Sequence, residues 1–149
     1  MKKIAIGSDH AGLDGKEAIK AQLDRLGVEY EDLGTYSTES VDYPDYAERV
    51  AQAVVNGEVE RGILVCGSGI GISIAANKVP GIRAALVWNA ETARLSRQHN
   101  DANIVAVGAR TTAPEVVEEI IEAYLGAEFM GGRHSQRIEK LAQLDKKKD

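Results

Sequence analysis

Short apolar runs alternate with longer segments of helical periodicity along the chain, and this alternation restricts the fold more than any other feature. The runs that predict strands are Lys3–Ser8, Val28–Leu33, Gly62–Cys66, Ile82–Trp88 and Ala102–Val107. The segments that predict helices are Leu13–Leu26, Pro44–Val55, a segment that follows Gly71 and ends near Lys78, Ala90–His99, Pro114–Leu125 and Ser135–Leu144. The sequence therefore predicts an α/β fold with a five-stranded parallel sheet covered by helices on both faces. The third run, apolar throughout, predicts a central strand, and the more polar second run predicts an edge strand.

The composition is typical of an ordinary globular protein and argues against several classes of function. The chain has 149 residues, 44% of them hydrophobic and 28% charged, which predicts one domain over residues 1–149. The net charge of −5 argues against a nucleic-acid partner, which needs a clustered cationic surface. No apolar run approaches the roughly 18 residues of a membrane span. A single cysteine cannot form an internal disulfide, and this predicts a cytoplasmic location.

Residues at the carboxyl ends of the predicted strands are candidates for a site, because ligands of open α/β sheets bind there. The segments at these ends are Ser8–Gly12, Cys66–Gly71, Trp88–Asn89 and Gly108–Arg110. The helix before the last strand closes with Gln98-His99-Asn100-Asp101. We therefore expect His10, His99 and Cys66 to lie next to one ligand crevice.

A glycine-rich segment, Gly67-Ser68-Gly69-Ile70-Gly71, follows the third predicted strand. Its spacing is not the dinucleotide-binding fingerprint, and it is not a P-loop because Lys78 comes too late. Glycine lets a ligand approach the main chain closely, and successive N–H groups at the start of a helix can bind an anion. The segment is therefore either a tight strand-to-helix turn or an anion-binding loop.

Cys66 stands directly before this loop. A free cysteine in an apolar strand is commonly just a small buried hydrophobe. The positive end of a helix dipole and free N–H groups would instead favour the thiolate, which can act as a nucleophile or as a base. Ser68, two residues later, could pass a proton or only cap the helix.

Two histidines and their neighbours also allow a functional and a structural interpretation. His10 and His99 could titrate in a site or make ordinary surface hydrogen bonds. Asp9 could orient the imidazole of His10 or cap the helix that follows. Asn100 and Asp101 could be ligand contacts or capping residues.

Arg133 and Arg137 are four residues apart, so they project from one face of a helix. Two adjacent guanidinium groups repel each other unless an anion lies between them, and a phosphate fits their geometry. The alternative is a solvated basic face with Glu128 or Glu139 as partner. His134 falls on a different face from the two arginines and is predicted to take no part.

Taken together, the segments GSDHAG, VDYPDYA, CGSGIGISIAANK, SRQHNDANI, GAR and GGRHSQRI resemble the ribose-5-phosphate isomerase B family, which includes the galactose-6-phosphate isomerase subunits. The resemblance extends from Lys3 to about Leu144. It implies a Rossmann-like, three-layer α/β/α sandwich that forms a homodimer, or a tetramer, with the active site between subunits. The implied reaction interconverts D-ribose 5-phosphate and D-ribulose 5-phosphate through an enediolate, in the pentose phosphate pathway. No metal or other cofactor is expected, since the cysteine and the three histidines lack zinc-ligand spacing.

The resemblance also implies roles for single residues. Cys66 matches the catalytic base; another branch of the family has a glutamate base six positions later, where this chain has Ile72. His99 matches the residue that opens the furanose ring, Asp9 its partner, and Ser68 a residue that assists proton movement. The positions that match substrate contacts are Asp9, His10, Tyr43, Gly67, Ser68, Gly69, Ile70, Gly71, Asn100, Arg110, Arg133 and Arg137. Among these, positions 67–71 match the segment that holds the enediolate oxygen, and positions 10, 133 and 137 match phosphate contacts.

Two other functions are compatible with these residues. An isomerase for a six-carbon sugar phosphate, such as allose 6-phosphate or galactose 6-phosphate, would use the same chemistry in a longer pocket. A phosphate-binding or sensor module on the same fold would need the arginines and glycines, but neither Cys66 nor His99.

Overall fold

The computed structural model describes residues 3–147; the ends of the predicted domain, Met1, Lys2, Lys148 and Asp149, lie outside the described residues. Its strands are β1 (Ile4–Ser8), β2 (Tyr30–Asp32), β3 (Gly62–Cys66), β4 (Ala84–Leu86) and β5 (Ile104–Gly108). Its helices are α1 (Leu13–Leu26), α2 (Tyr43–Val55), α3 (Ile70–Ala76), α4 (Ala90–Gln98), α5 (Pro114–Gly126) and α6 (Arg133–Lys146). The strand order is β2-β1-β3-β5-β4, and every neighbouring pair is parallel.

This sheet confirms the predicted fold class, and its order confirms that β3 is central and β2 lies at an edge. β2 and β4 are shorter than the predicted runs Val28–Leu33 and Ile82–Trp88, and α3 ends two residues before Lys78. β4 covers only three residues of the predicted run Ile82–Trp88, because it is an edge strand that pairs with β5 over this short length. α3 ends at Ala76 because the Asn77 side chain accepts from the N–H of Ala84 and donates to its carbonyl, at 2.8 and 2.9 Å. These bonds direct the chain out of the helix towards β4.

Each face of the sheet is covered by its own apolar core. On one face, side chains of β1, β3 and β5 such as Val65 pack against α1, α4 and α5. On the other face, neighbours such as Leu64 pack against α2 and α3. Because successive side chains of a strand point to opposite faces, Cys66 lies on the second face, among α2 and α3.

The sheet has a carboxyl end, where the parallel strands finish, and an amino end, where they begin. The two ends are about 15 Å apart, since a five-residue strand rises roughly 3.3 Å per residue. Helices that connect parallel strands run in the opposite direction. The last turn of α4 therefore lies at the amino end, next to the start of β5. Every candidate residue can be assigned to one of these two ends.

Candidate active site

One group of candidate residues meets at the carboxyl end of the sheet, and we call it the carboxyl-end cluster. Its members are Asp9, His10, Tyr43, Cys66, Gly67, Ser68, Gly69, Ile70, Gly71 and Arg110. Cys66 is the last residue of β3 and is 5% exposed. Its carbonyl accepts from the Ala109 N–H, and the Gly67 carbonyl accepts from the Arg110 N–H, each at 2.9 Å. The segments after β3 and β5 are thus held side by side.

The loop after β3 directs an N–H at the sulfur of Cys66. The N–H of Gly69 donates to Cys66 Sγ at 3.1 Å. Gly69 has a φ of 78°, a left-handed conformation that favours glycine. A Cβ at this position would lie 2.8 Å from the carbonyl carbon of Val107, so a larger residue would collide with β5. A main-chain donor at this distance stabilises the sulfur when it is ionised.

The remaining loop residues form the start of α3 and one wall of the site. Ser68 Oγ accepts from the Ile70 N–H at 3.1 Å, a local turn bond; its predicted role in proton movement stays a prediction. A Cβ on Gly71 would lie 2.6 Å from Cζ of Tyr43. The Tyr43 ring, at the first residue of α2, therefore lies directly on the loop.

Asp9 and His10 follow β1. Asp9 Oδ1 accepts from the Gly12 N–H at 3.0 Å and begins a short 3-10 turn. Asp9 therefore has the capping role that the sequence offered as one of two interpretations. His10 Nδ1 accepts from the Val41 N–H at 3.1 Å. An accepting Nδ1 places the proton of a neutral imidazole on Nε2. His10 therefore holds the loop that precedes α2 and carries a donor on its other nitrogen.

A second group of residues lies at the amino end of the sheet, and we call it the amino-end cluster. Its members are His99, Asn100, Arg133, His134 and Arg137. The expectation that His99 lies next to the same crevice as Cys66 is wrong within one chain. His99 caps the carboxyl end of α4, which runs opposite to the strands, so the packed sheet separates it from Cys66. The signal was present in the sequence, because a parallel sheet already implies this direction for α4.

His134, which is predicted to take no part in phosphate binding, nevertheless lies against His99. His134 is 6% exposed, and its ring stacks on that of His99 with the centroids 4.3 Å apart and the planes 14° from parallel. α6 begins at Arg133 rather than at the predicted Ser135, which places His134 in its first turn. The prediction considered only which residues share a face of α6. In the structure, the face that carries His134 packs onto the end of α4.

Arg133 and Arg137 are exposed on the first two turns of α6. Within residues 3–147, neither arginine forms an ion pair with Glu128 or Glu139, the partners of the alternative interpretation. The structure therefore gives no support to a self-paired basic face. Two adjacent cations of this kind suit an anionic ligand.

The turn after His99 is held by two arginines that the sequence analysis did not single out. Arg83 Nε donates to the carbonyls of Asn100 and Asp101, at 3.2 and 3.0 Å. Arg97 Nη1 donates to Asp101 Oδ1 at 2.7 Å. Asp101 itself has a φ of 47°, in the left-handed region. No local spacing predicts the Arg83 contacts, because Arg83 comes from the segment before β4. Arg97 and Asp101, in contrast, are four residues apart, a spacing that permits a local ion pair.

Within residues 3–147, no group of three or more His, Cys, Asp and Glu side chains is close enough together to hold a metal ion. In the same part of the chain, no helix is both long and apolar enough to cross a bilayer.

The carboxyl-end cluster occupies the position where ligands of this class of fold bind. The strand order reverses direction between β1 and β3, and the crevice beyond such a point is the usual binding site in open α/β sheets. Asp9 and His10 follow β1, and Cys66 ends β3. The fold defines a doubly wound α/β protein, and these groups form a candidate ligand site that contains a thiol.

Comparison with known proteins identifies the family. A family model described as Ribose/Galactose Isomerase matches residues 4–141. The chain is 51% identical over 149 residues to Ribose-5-phosphate isomerase B of Escherichia coli (strain K12), with 100% of each chain covered. It is 43% identical over 146 residues to the D-erythrulose-4-phosphate isomerase of Pectobacterium atrosepticum, covering 97% of this chain and 96% of that protein. It matches the structure of Clostridium thermocellum Ribose-5-Phosphate Isomerase B with a TM-score of 0.97 and 52% identity, over 99% of each chain. The chain belongs to the ribose/galactose isomerase family.

Proposed function

We propose that this chain is an aldose–ketose isomerase that interconverts D-ribose 5-phosphate and D-ribulose 5-phosphate, a reaction of the pentose phosphate pathway. Full-length relatives at about half identity are named for this sugar phosphate. The observation that carries the chemistry is the 3.1 Å contact between the Gly69 N–H and the sulfur of Cys66. It joins a base and a main-chain donor in one place, as the reaction requires.

In the proposed mechanism, the Cys66 thiolate removes the proton from C2 of the open-chain aldose and returns it to C1. Negative charge develops on the carbonyl oxygen, and the resulting enediolate is stabilised by those amides of residues 67–71 that do not bond Cys66 or Ser68. A preorganised donor of this kind is worth roughly 3–4 kcal/mol. Ser68 assists transfer of the hydroxyl proton between the two oxygens, and Tyr43 closes the site beside the loop.

His99 opens the sugar ring, with Asp9 as its partner, and Arg133 and Arg137 hold the phosphate together with His10. Binding at the phosphate positions the distant reacting carbons. Asn100 and Arg110 contact the sugar. Because the two clusters lie at opposite ends of the sheet, one chain cannot supply both sets of groups to one substrate.

A homodimer resolves this separation. A second copy that places its amino-end cluster against the first copy's carboxyl-end cluster completes the site, and two-fold symmetry creates two such sites. Large apolar side chains on the surface support association of this kind; Trp88 is 62% exposed and Met130 63%. We further propose that the reaction needs no metal or cofactor and takes place in the cytoplasm, where reducing conditions keep Cys66 a thiol.

The test uses ribose 5-phosphate deuterated at C2, in the presence of EDTA. Cys66→Ala should lower kcat roughly 10³-fold with KM close to the parental value, because a general base contributes about 10²–10⁴. Parental turnover by this variant would remove Cys66 as the base. Loss of parental activity in EDTA would contradict a metal-free reaction.

His99→Asn separates ring opening from proton abstraction. We expect kcat to fall and the C2 deuterium isotope effect to shrink towards unity, because ring opening then limits the rate. A full isotope effect in this variant would contradict the ring-opening role.

A matched series of D-erythrulose 4-phosphate, ribose 5-phosphate and allose 6-phosphate tests the chain length of the substrate, since the arginines and the thiol are a fixed distance apart. A higher kcat/KM for the four- or six-carbon compound would replace the proposed substrate.

A further inference from the structure

The stacked pair of His99 and His134 contains a residue for which the proposed reaction has no use. His134 is nearly buried, although it lies between two exposed arginines of α6. Its ring lies almost flat on the ring of His99, with 4.3 Å between the centroids. The residue proposed to open the sugar ring therefore has a second imidazole as its support.

Main-chain contacts fix this stack. The Met130 N–H donates to the carbonyl of Gln98 at 3.0 Å, so the loop before α6 is tied to the residue that precedes His99. The N–H of His134 donates to the carbonyl of Gly131 at 3.1 Å, which closes the first turn of α6 against the same loop. The main chain next to His99 is thus hydrogen-bonded to the loop that leads into His134.

Burial and neighbouring charges both act on the imidazole of His134. Burial first, and then the neighbouring His99, Arg133 and Arg137, lower the pKa of His134. Among residues 3–147, these three, from the end of α4 and from α6, are the titratable or charged groups that act on it. In the dimer proposed above, Asp9 and His10 of the second copy would face the stack as well. The charged form of His134 is therefore disfavoured, and His99 is the ring with more solvent contact.

We infer that His134 is a positioning residue for ring opening: it holds the plane of His99 and, through Arg133 and Arg137, links proton uptake by His99 to the presence of a phosphate. This inference rests on the proposed role of His99. A phosphate dianion at the two arginines cancels the positive field that opposes an imidazolium. The phosphate of the substrate then favours protonation of the group that acts on the far end of the same molecule.

The test of the link is an NMR titration of the His99 and His134 imidazoles in the full chain, with inorganic sulfate as probe. Sulfate keeps its double negative charge across the titration, and sodium chloride at equal ionic strength is the control. The midpoint of His99 should rise by about one pH unit with sulfate, since an opposite charge within a few Å shifts a midpoint by that order. The shift should vanish in the Arg133→Met/Arg137→Met double variant.

Absence of sulfate binding at α6, or binding that leaves the His99 midpoint unchanged, would overturn the link. This experiment contains no sugar, so its outcome is independent of whether Cys66→Ala retains isomerase activity.

Two matched substitutions test the positioning role. His134→Phe keeps a flat ring against His99 and should preserve kcat and the C2 deuterium isotope effect. His134→Ala removes the support and should lower kcat roughly tenfold to a hundredfold, because small misplacements of a reacting group cost about this much. The isotope effect should shrink in His134→Ala, as in His99→Asn. A parental isotope effect in His134→Ala, or equal losses in both variants, would contradict the positioning role.

Discussion

Gly69 shapes the surroundings of Cys66. Its left-handed backbone turns the N–H towards the sulfur, and its lack of a side chain lets the loop lie against Val107. Gly27 shares the backbone conformation, with a φ of 69°, but a Cβ there would meet nothing within 4 Å. Substitutions at the two glycines therefore separate the free-energy cost of the left-handed conformation from the cost of a steric collision.

Gly69→Ala should destabilise the protein more than Gly27→Ala. Both substitutions lower the free energy of unfolding by about 1–2 kcal/mol because of the left-handed conformation. Only Gly69→Ala must also move the main chain away from β5. We expect Gly69→Ala to lower kcat as well, because its N–H leaves the sulfur of Cys66. Urea unfolding and steady-state kinetics measure both effects. Equal destabilisation, with parental kcat in both variants, would contradict this account of the loop.

At the scale of elements, an ion pair between a fully buried lysine and a partly buried aspartate joins α1 to the end of β2. Lys16 is 0% exposed, and its Nζ lies 2.6 Å from Asp32 Oδ1 and 2.6 Å from the carbonyl oxygen of Thr35. Lys20 Nζ donates to the other carboxylate oxygen at 2.8 Å. Burial on its own would raise the pKa of Asp32, but the hydrogen bonds from Lys16, Lys20 and the Gly34 N–H outweigh it and lower this pKa.

Asp32→Asn should therefore destabilise the protein at neutral pH and much less in acid. Asp32 has a folded pKa below its ordinary value of 3.8, so its contribution is complete above 3.8 and is lost as pH falls through the lowered folded value. Breaking a buried pair costs about 3 kcal/mol or more. Urea unfolding at about pH 7 and about pH 3 measures the difference. Glu122→Gln, at an exposed position of α5, is the control; a constant penalty for Asp32→Asn at both pH values would refute the pairing.

At the scale of the whole molecule, the two clusters lie at opposite ends of the sheet. Cys66 belongs to the carboxyl end of the sheet, whereas His99 and Arg137 belong to the amino end. A dimer of the proposed kind takes one cluster from each copy for every site. Defects at opposite ends can then be combined so that one site in the dimer is intact.

Co-expression of Cys66→Ala and His99→Asn chains with different tags should restore activity. A doubly purified heterodimer has one site with both defects and one with neither, so about half of the parental activity is expected from two-fold symmetry. The control pairs His99→Asn with Arg137→Ala, which damage the same cluster and should not complement each other. If the first pair is as inactive as each variant alone, the two-chain site is ruled out.

The alternation of apolar runs and helical segments was sufficient to predict the sheet, its parallel pairing, its central strand and one edge strand. Each of these depends on periodicity and burial within a few residues, which a sequence displays directly. The position of Cys66 before a glycine loop could also be predicted from neighbouring residues alone. The length of β4 could not be predicted in this way, because it depends on pairing with β5 rather than on the residues of β4.

By itself, the sequence determined which chemical groups are available: a thiol beside main-chain donors, titratable imidazoles and a pair of arginines. Only the tertiary structure decided which of them can meet. It placed His99 at the opposite end of the sheet from Cys66, and it stacked His134, which a helical face alone had excluded, onto His99. The physical reason is that helix direction and helix–helix contact are set by the packing of whole elements on a sheet, and residue spacing within one element does not record them.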